Sequence, residues 1–260
     1  LSELHVDEPG EGIVRLTISN PAKRNALDHA ILDGIATAVA EHQDARCHVL
    51  TGERGMFSSG YDIGDIPADV FAERAEKLVA HPFTAAIDAL EASDVPSVAA
   101  LTGHTIGGGL ELALVCDFRV AHDGIKLGMP PAKLGLVYSH TGLRRFIDAI
   151  GVPRTRELFL LGRNVDATTA LGWGLVHRVV PESQLAESAV ELAAELAANA
   201  PLSVRGNKQV IRELLRAEGE LDPEIERELI ALREACFRSE DMAEGVRAFG
   251  EKRAPNWQGR

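Results

Sequence analysis

Residues 96–130 read PSVAALTGHTIGGGLELALVCDFRVAHDGIKLGMP, and this stretch constrains the fold more than any other. A strand-like run at 96–103 meets three consecutive glycines, Gly107, Gly108 and Gly109, and a leucine-rich helical pattern follows at once. After it, 118–130 reads as two short strands about an Asp123-Gly124 turn. A surface loop has no use for the leucines, and a core helix does not favour Glu111, so a local rule is broken here. Glycines ahead of a helix let backbone N–H groups approach a ligand closely. The first helical N–H groups lack internal partners and carry the positive end of the dipole, which suits an anion or a developing oxyanion.

Other strands are expected at 12–19, 47–53 and 176–180, from alternating or β-branched apolar runs. Helical spacing is expected at 27–44, and at 71–92 with a break at Pro82. From Thr141 the chain is almost wholly helical, with segments near 141–150, 153–161, 166–172, 182–199, 201–217, 222–238 and 239–251. Strands punctuated by helices, then helices alone, predict an α/β core over 1–200 with a helical extension of the same domain over 201–260. No repeat of fixed period is visible.

The 260 residues suffice for one large core, and a composition 45% apolar and 25% charged is that of a globular chain. A net charge of −12 argues against nucleic acid as a partner. No apolar run approaches the roughly 18–20 residues that span a bilayer, so no membrane partner is expected. The first residues, LSELHVDEPGEG, lack a secretory pattern, and three cysteines (Cys47, Cys116, Cys236) without CxxC spacing fit a reducing cytoplasm. No spaced His/Asp/Glu set predicts a metal. Local cations remain available for a small polyanion: Lys23 and Arg24 in NPAKRNAL, and Lys252, Arg253 and Arg260 at the C-terminus.

A second glycine-centred turn, GMFSSGYDIGDI, lies at 55–66. If the N–H groups of Tyr61 and Gly108 converge, they form a two-donor oxyanion hole. The glycine run lacks both the GxxxxGK[ST] ending and GxGxxG spacing, so a phosphate loop or a dinucleotide fingerprint is not expected.

FSSGYDI, the segment around GHTIGGGLELALVCD, NPAKRNAL and LGRNVDATTALGWGLVHRVV together resemble the crotonase superfamily, the enoyl-CoA hydratase/isomerase family, over essentially the whole chain. The resemblance implies the α/β crotonase (ClpP-like) fold of repeated ββα units, with a helical C-terminal region used for trimerisation, as a homotrimer or a dimer of trimers. It implies an acyl-CoA thioester substrate, with coenzyme A as part of that substrate and no separate cofactor. Its oxyanion donors fall on Tyr61 and Gly108 and its acyl-CoA lining on Tyr61, Asp62, Ile63 and Gly64; Lys23, Arg24 and Pro131 are further substrate-binding candidates, and Lys252 is a candidate for the CoA phosphates of a neighbouring subunit.

Family hydratases use two glutamates. The first matches Glu111, but the second position is Pro131, which neither gives nor takes a proton. Tyr138, between LGLV and SHTG, resembles the methylmalonyl-CoA decarboxylase branch, where a tyrosine hydroxyl binds the departing carboxylate. One departure from that branch is Tyr61, where it has histidine. The expectation is therefore decarboxylation of a malonyl-type acyl-CoA by Tyr61, Gly108 and Tyr138, with Glu111 as a possible proton donor. The alternative is an enoyl-CoA hydratase or isomerase using Glu111 as acid/base, and a third reading is a non-catalytic acyl-CoA-binding member. His104 and His140 flank the segment, with His140 close to Tyr138 in sequence. Asp117 and Arg119 read as structural partners.

Overall fold

The computed structural model describes residues 2–53, 55–62 and 79–259. Among the described residues ten strands form two sheets. The larger has the order β1 (Glu3–Gly10), β2 (Ile13–Ser19), β3 (Cys47–Gly52), β5 (Ser97–Leu101), β7 (Phe118–His122), β10 (Arg178–Val180). The smaller has the order β4 (Met56–Ser58), β6 (His104–Ile106), β8 (Lys126–Gly128), β9 (Asn164–Asp166). All pairings are parallel except β1 with β2 and β8 with β9.

Three times the chain leaves the large sheet and enters the small one within a few residues: β3 to β4, β5 to β6, and β7 to β8. The second step shows why it needs glycine. A Cβ on Gly103 would lie 1.9 Å from the Gly55 carbonyl oxygen, so two crossing backbones touch there. The expected strand pair at 118–130 exists, but its members do not pair with each other. β7 is held by β5 and β10, and β8 by β6 and β9, because each strand completes a different sheet.

Alternation along the central strands gives the large sheet two apolar faces. Ile13, Cys47, Val49, Val98, Ala100 and Val120 pack against Leu185, Ala189, Leu192 and Ala193. Those four lie on the helix Leu185–Ala198 (α6). The opposite residues, Val14, Leu16, Ile18, Leu50, Ala99 and Leu101, join the main core. That core includes Ile31, Leu32 and Ile35 of α1 (His29–Glu41) and Ile87 and Leu90 of α2 (Thr84–Ala92). Truncating a fully buried side chain such as Leu50 to alanine costs about 2–5 kcal/mol.

Of the helix expected at 71–92, residues 71–78 fall among 63–78, which lie outside the described residues; the rest is a π-turn, Val79–Phe83, which contains Pro82 and leads into α2 (Thr84–Ala92). The short α3 (Gly108–Leu114) buries every residue, Glu111 included. The segment His140–Leu161 (α4) breaks at Gly151, whose φ of 76° is left-handed, which matches the expected division into two helices. It is followed by α5 (Ala167–Trp173), α6, α7 (Pro201–Gly219), α8 (Pro223–Phe237) and α9 (Glu240–Gly250).

Helix α7 buries no residue, and leaves Leu202, Val210, Ile211, Leu214 and Leu215 exposed. The last helices instead fold onto the loop after β8: the Cys236 thiol donates to the Gly135 carbonyl, and a Cβ on Gly245 would meet the Leu134 oxygen at 2.3 Å. Strands β1, β4, β6 and β9 were not expected. β1 is an antiparallel edge fixed by partners such as Leu4 opposite Ile18, and the others are three-residue strands, too short for a periodic signal.

Candidate active site

The NPAKRNAL segment sets the first half of the site. Asn25 is wholly buried at a φ of 54°, a left-handed conformation that asparagine tolerates. Its Oδ1 accepts from the Asn20 N–H, and its Nδ2 donates to the carbonyls of Glu53 and Met56. So held, the segment clamps the second glycine turn. Ser59 N–H donates to the Arg24 carbonyl, Leu27 N–H to that of Gly60, and Asp62 N–H to that of Leu27. In this parallel bridge Leu27 makes both bonds to the residues flanking Tyr61, which turns the Tyr61 N–H away from Leu27. Lys23 closes the same edge by pairing with Asp62 at 2.9 Å. Arg24 is exposed beside it. Ile63 and Gly64 lie outside the described residues.

The glycine run forms the second half. Gly107 takes a φ of 58° and donates its N–H to the Gly128 carbonyl, tying the turn to β8. Gly108 then begins α3, so its N–H has no acceptor within the helix. The two turns touch. A Cβ on Gly60 would lie 3.2 Å from the Gly108 nitrogen, and one on Gly108 would lie 2.8 Å from Cε1 of Tyr61.

Side chains complete the site. The Tyr138 hydroxyl donates a short hydrogen bond to Oε2 of Glu111, and the Tyr61 hydroxyl lies 3.3 Å from that of Tyr138. Arg145, on α4, donates from Nη1 to Oε1 of Glu111 at 2.9 Å and clasps Glu91 with its other nitrogens. Burial pushes the Glu111 carboxyl above the ordinary 4.5, while the bonds from Tyr138 and Arg145 pull the other way. Burial, reinforced by the charge of Glu111, holds the phenols of Tyr61 and Tyr138 well above 10, so both are neutral hydrogen-bonding groups. The Tyr61 ring is pinned edge-on to Phe83, with centroids 4.7 Å apart.

Arg145 and Glu91 were missed by sequence reasoning. No motif marks them: Arg145 reaches Glu111 from a separate helix 34 residues away in the chain, and Glu91, on another helix, binds Arg145. Arg233 of α8 was missed as well; it lines the same cleft as Tyr61, Tyr138 and Ser139.

Other expected residues sit elsewhere. Pro131 is buried at the start of a short 3-10 turn, Pro131–Lys133, and brings no proton-carrying group to Glu111. His140 lies with Nε2 3.3 Å from Oε1 of Glu226, while His104 accepts from the Lys126 N–H in the small sheet. Arg253 is not free for a polyanion, because it pairs with Glu244 and Glu251; Lys252 is exposed, and Arg260 lies outside the described residues. Asp117 and Arg119 are structural. Asp117 accepts from Ser97 and Lys208, and the buried Arg119 donates to the carbonyls of Leu114, Cys116 and Leu175, its pKa lowered by burial to about 10. Among the described residues there is no cluster of three potential metal ligands, and no helix is long and apolar enough to cross a membrane.

Known proteins are similar to this chain from end to end. A carnitinyl-CoA dehydratase of Salmonella typhi is 34% identical over 99% of this chain and 98% of that protein. A 2,3-dehydroadipyl-CoA hydratase of Escherichia coli (strain K12) is 32% identical over 100% of both. A solved structure of methylmalonyl-CoA decarboxylase with 2-nitronate-propionyl-CoA superposes with a TM-score of 0.90 over 99% of both chains; at 24% identity it shows the shared fold. The family model described as enoyl-CoA hydratase/isomerase matches residues 8–260, and the chain belongs to that family.

Proposed function

We propose that the protein catalyses the reversible addition of water to an enoyl-CoA thioester, with Glu111 moving the proton. The observation that carries this reading is the placement of Glu111: 2% exposed, three residues beyond the Gly108 amide, and held by Tyr138 and Arg145. Burial raises the Glu111 pKa, which makes its carboxylate a stronger base than an exposed one and suits it to take and return a proton. In the hydration direction, ionised Glu111 takes a proton from water as its oxygen bonds to the β-carbon. The C=C electrons move toward the thioester oxygen, and the Tyr61 and Gly108 N–H groups stabilise that enolate. Glu111 then gives its proton to the α-carbon, which restores the carboxylate. One such backbone donor contributes about 3–4 kcal/mol of barrier lowering. Lys23, beside Asp62, and Arg24 lie at the edge where the CoA moiety would enter.

The relatives at 32–34% identity support the same choice, one a dehydratase and one a hydratase of acyl-CoA thioesters. The order of the two sequence readings is thereby reversed. Decarboxylation of a malonyl-type thioester keeps one observation in its favour, the Pro131 position without a second acid. Against it, the Tyr138 hydroxyl already donates its hydrogen bond to Glu111, and an ionised Glu111 would repel a departing carboxylate. Offering crotonyl-CoA and methylmalonyl-CoA in parallel tests the choice. Hydration of the first supports it; release of CO2 from the second without hydration of the first overturns it.

The reading includes a homotrimer or dimer of trimers built on the 201–260 extension, which the exposed apolar residues of α7 support. Sedimentation velocity tests it, and a monomer at micromolar concentration would sink it. Three cysteines without disulfide partners accord with a cytoplasmic setting.

A further inference from the structure

Arg233 stands out among the charged residues around the site. It projects from α8 into the cleft shared by Tyr61, Tyr138 and Ser139, and its buried Nε has no hydrogen-bond partner among the described residues. Arg145, across the same site, is by contrast bound to two glutamates. A buried N–H without an acceptor is costly, and a guanidinium is the side chain best shaped to be satisfied by a carboxylate through two parallel N–H···O bonds. The remaining cleft wall is largely apolar, with Leu136, Val137 and Phe237 beside the arginine. The cleft holds only about 10 Å³, so what it fits is the charged tip of an acyl group set against the unpartnered Nε–H of Arg233. The Cys236 thiol bond to Gly135 fixes α8 over this loop only three residues from Arg233, so the cation is positioned by the fold.

We infer that Arg233 selects acyl-CoA substrates whose acyl group carries a carboxylate, which it binds as a bidentate ion pair in the cleft beside Tyr61 and Tyr138. This rests on the reading of the cleft as the acyl site, but not on the reaction carried out there. A neutral acyl group of equal length leaves the guanidinium unpaired, and an acyl group ending in a quaternary ammonium is repelled.

The test is binding of saturated thioesters, which undergo no water addition. Calorimetric dissociation constants are compared for malonyl-, succinyl-, glutaryl- and adipyl-CoA against propanoyl-, butyryl-, pentanoyl- and hexanoyl-CoA. The expected result is that at least one carboxylated member binds about 10–100-fold tighter than its neutral partner of equal length. Arg233→Met removes that preference, and Arg233→Lys restores part of it, since an ammonium keeps the charge but not the fork. Equal affinities within all four pairs for the unaltered protein overturn the inference, and so does a preference that survives in a folded Arg233→Met variant. The preference of the unaltered protein needs no variant, so a misfolded substitution leaves the first criterion standing. Preference without hydration of any enoyl thioester would sink the hydratase reading alone, and hydration without preference would sink this one alone.

Discussion

Glu111 and Glu244 are both arginine-bound glutamates, yet their carboxyls move in opposite directions. The Glu111 side chain is 2% exposed and that of Glu244 10%. At Glu111 desolvation dominates, and two donors only partly offset it. At Glu244 the hydrogen bonds of Arg253, Arg247 and the Asn256 amide dominate and hold the carboxyl well below the ordinary range. Its partners serve Glu244 and, through Arg253, Glu251, whereas Arg145 is divided between Glu111 and Glu91. A carboxylate saturated with donors is a clamp; one left short of them in a dry place remains able to exchange a proton.

The largest expected effect breaks that comparison outright. Glu111→Gln lowers kcat/KM for an enoyl thioester by about 10²–10⁴-fold, while Glu244→Gln stays within about twofold, both measured by steady-state hydration. Equal losses in the two variants would reduce Glu111 to a structural residue. Next is Gly108→Ala, which leaves both carboxylates untouched. Its new Cβ must displace a ring pinned by Phe83, and a misplaced donor lowers kcat about 10²-fold with little change in the folded fraction by circular dichroism.

A smaller effect sharpens the comparison by removing one donor. The Tyr138 bond lowers the Glu111 pKa, so Tyr138→Phe raises it further. In the proposed hydration Glu111 acts ionised, so the acid limb of the pH–rate profile moves to higher pH; an unmoved limb would mean that Glu111 does not govern it. The smallest effect concerns stability. The folded pKa of Glu244 lies below its ordinary 4.5, so the clamp contributes stability that is full above about 4.5 and is lost as pH falls toward the lowered value. Glu244→Gln therefore melts below the unaltered protein at neutral pH, with the two converging in acid. Glu111 has the opposite sign: its raised pKa makes ionisation cost stability as pH rises from 4.5 toward the folded value.

Local patterns determined much of this molecule. Alternation in 12–19 and the apolar runs in 47–53 and 96–103 correspond to strands at Ile13–Ser19, Cys47–Gly52 and Ser97–Leu101, and α4 divides at Gly151, between the two helices expected there. The two glycine turns and Glu111 were legible because each breaks a local rule: glycines where a chain would gain from side chains, and a charge among leucines. Tertiary structure alone decided which sheet β7 and β8 each joined, and that Tyr138 donates its hydrogen bond to Glu111. It also brought Arg145 to Glu111, Glu91 to Arg145, and Arg233 to the cleft. Those residues carry no local signature, because a charged residue on a helix reads the same in sequence whether it faces solvent or a buried partner. Whether it is desolvated, and whether an acceptor meets it, depends on packing between elements many residues apart.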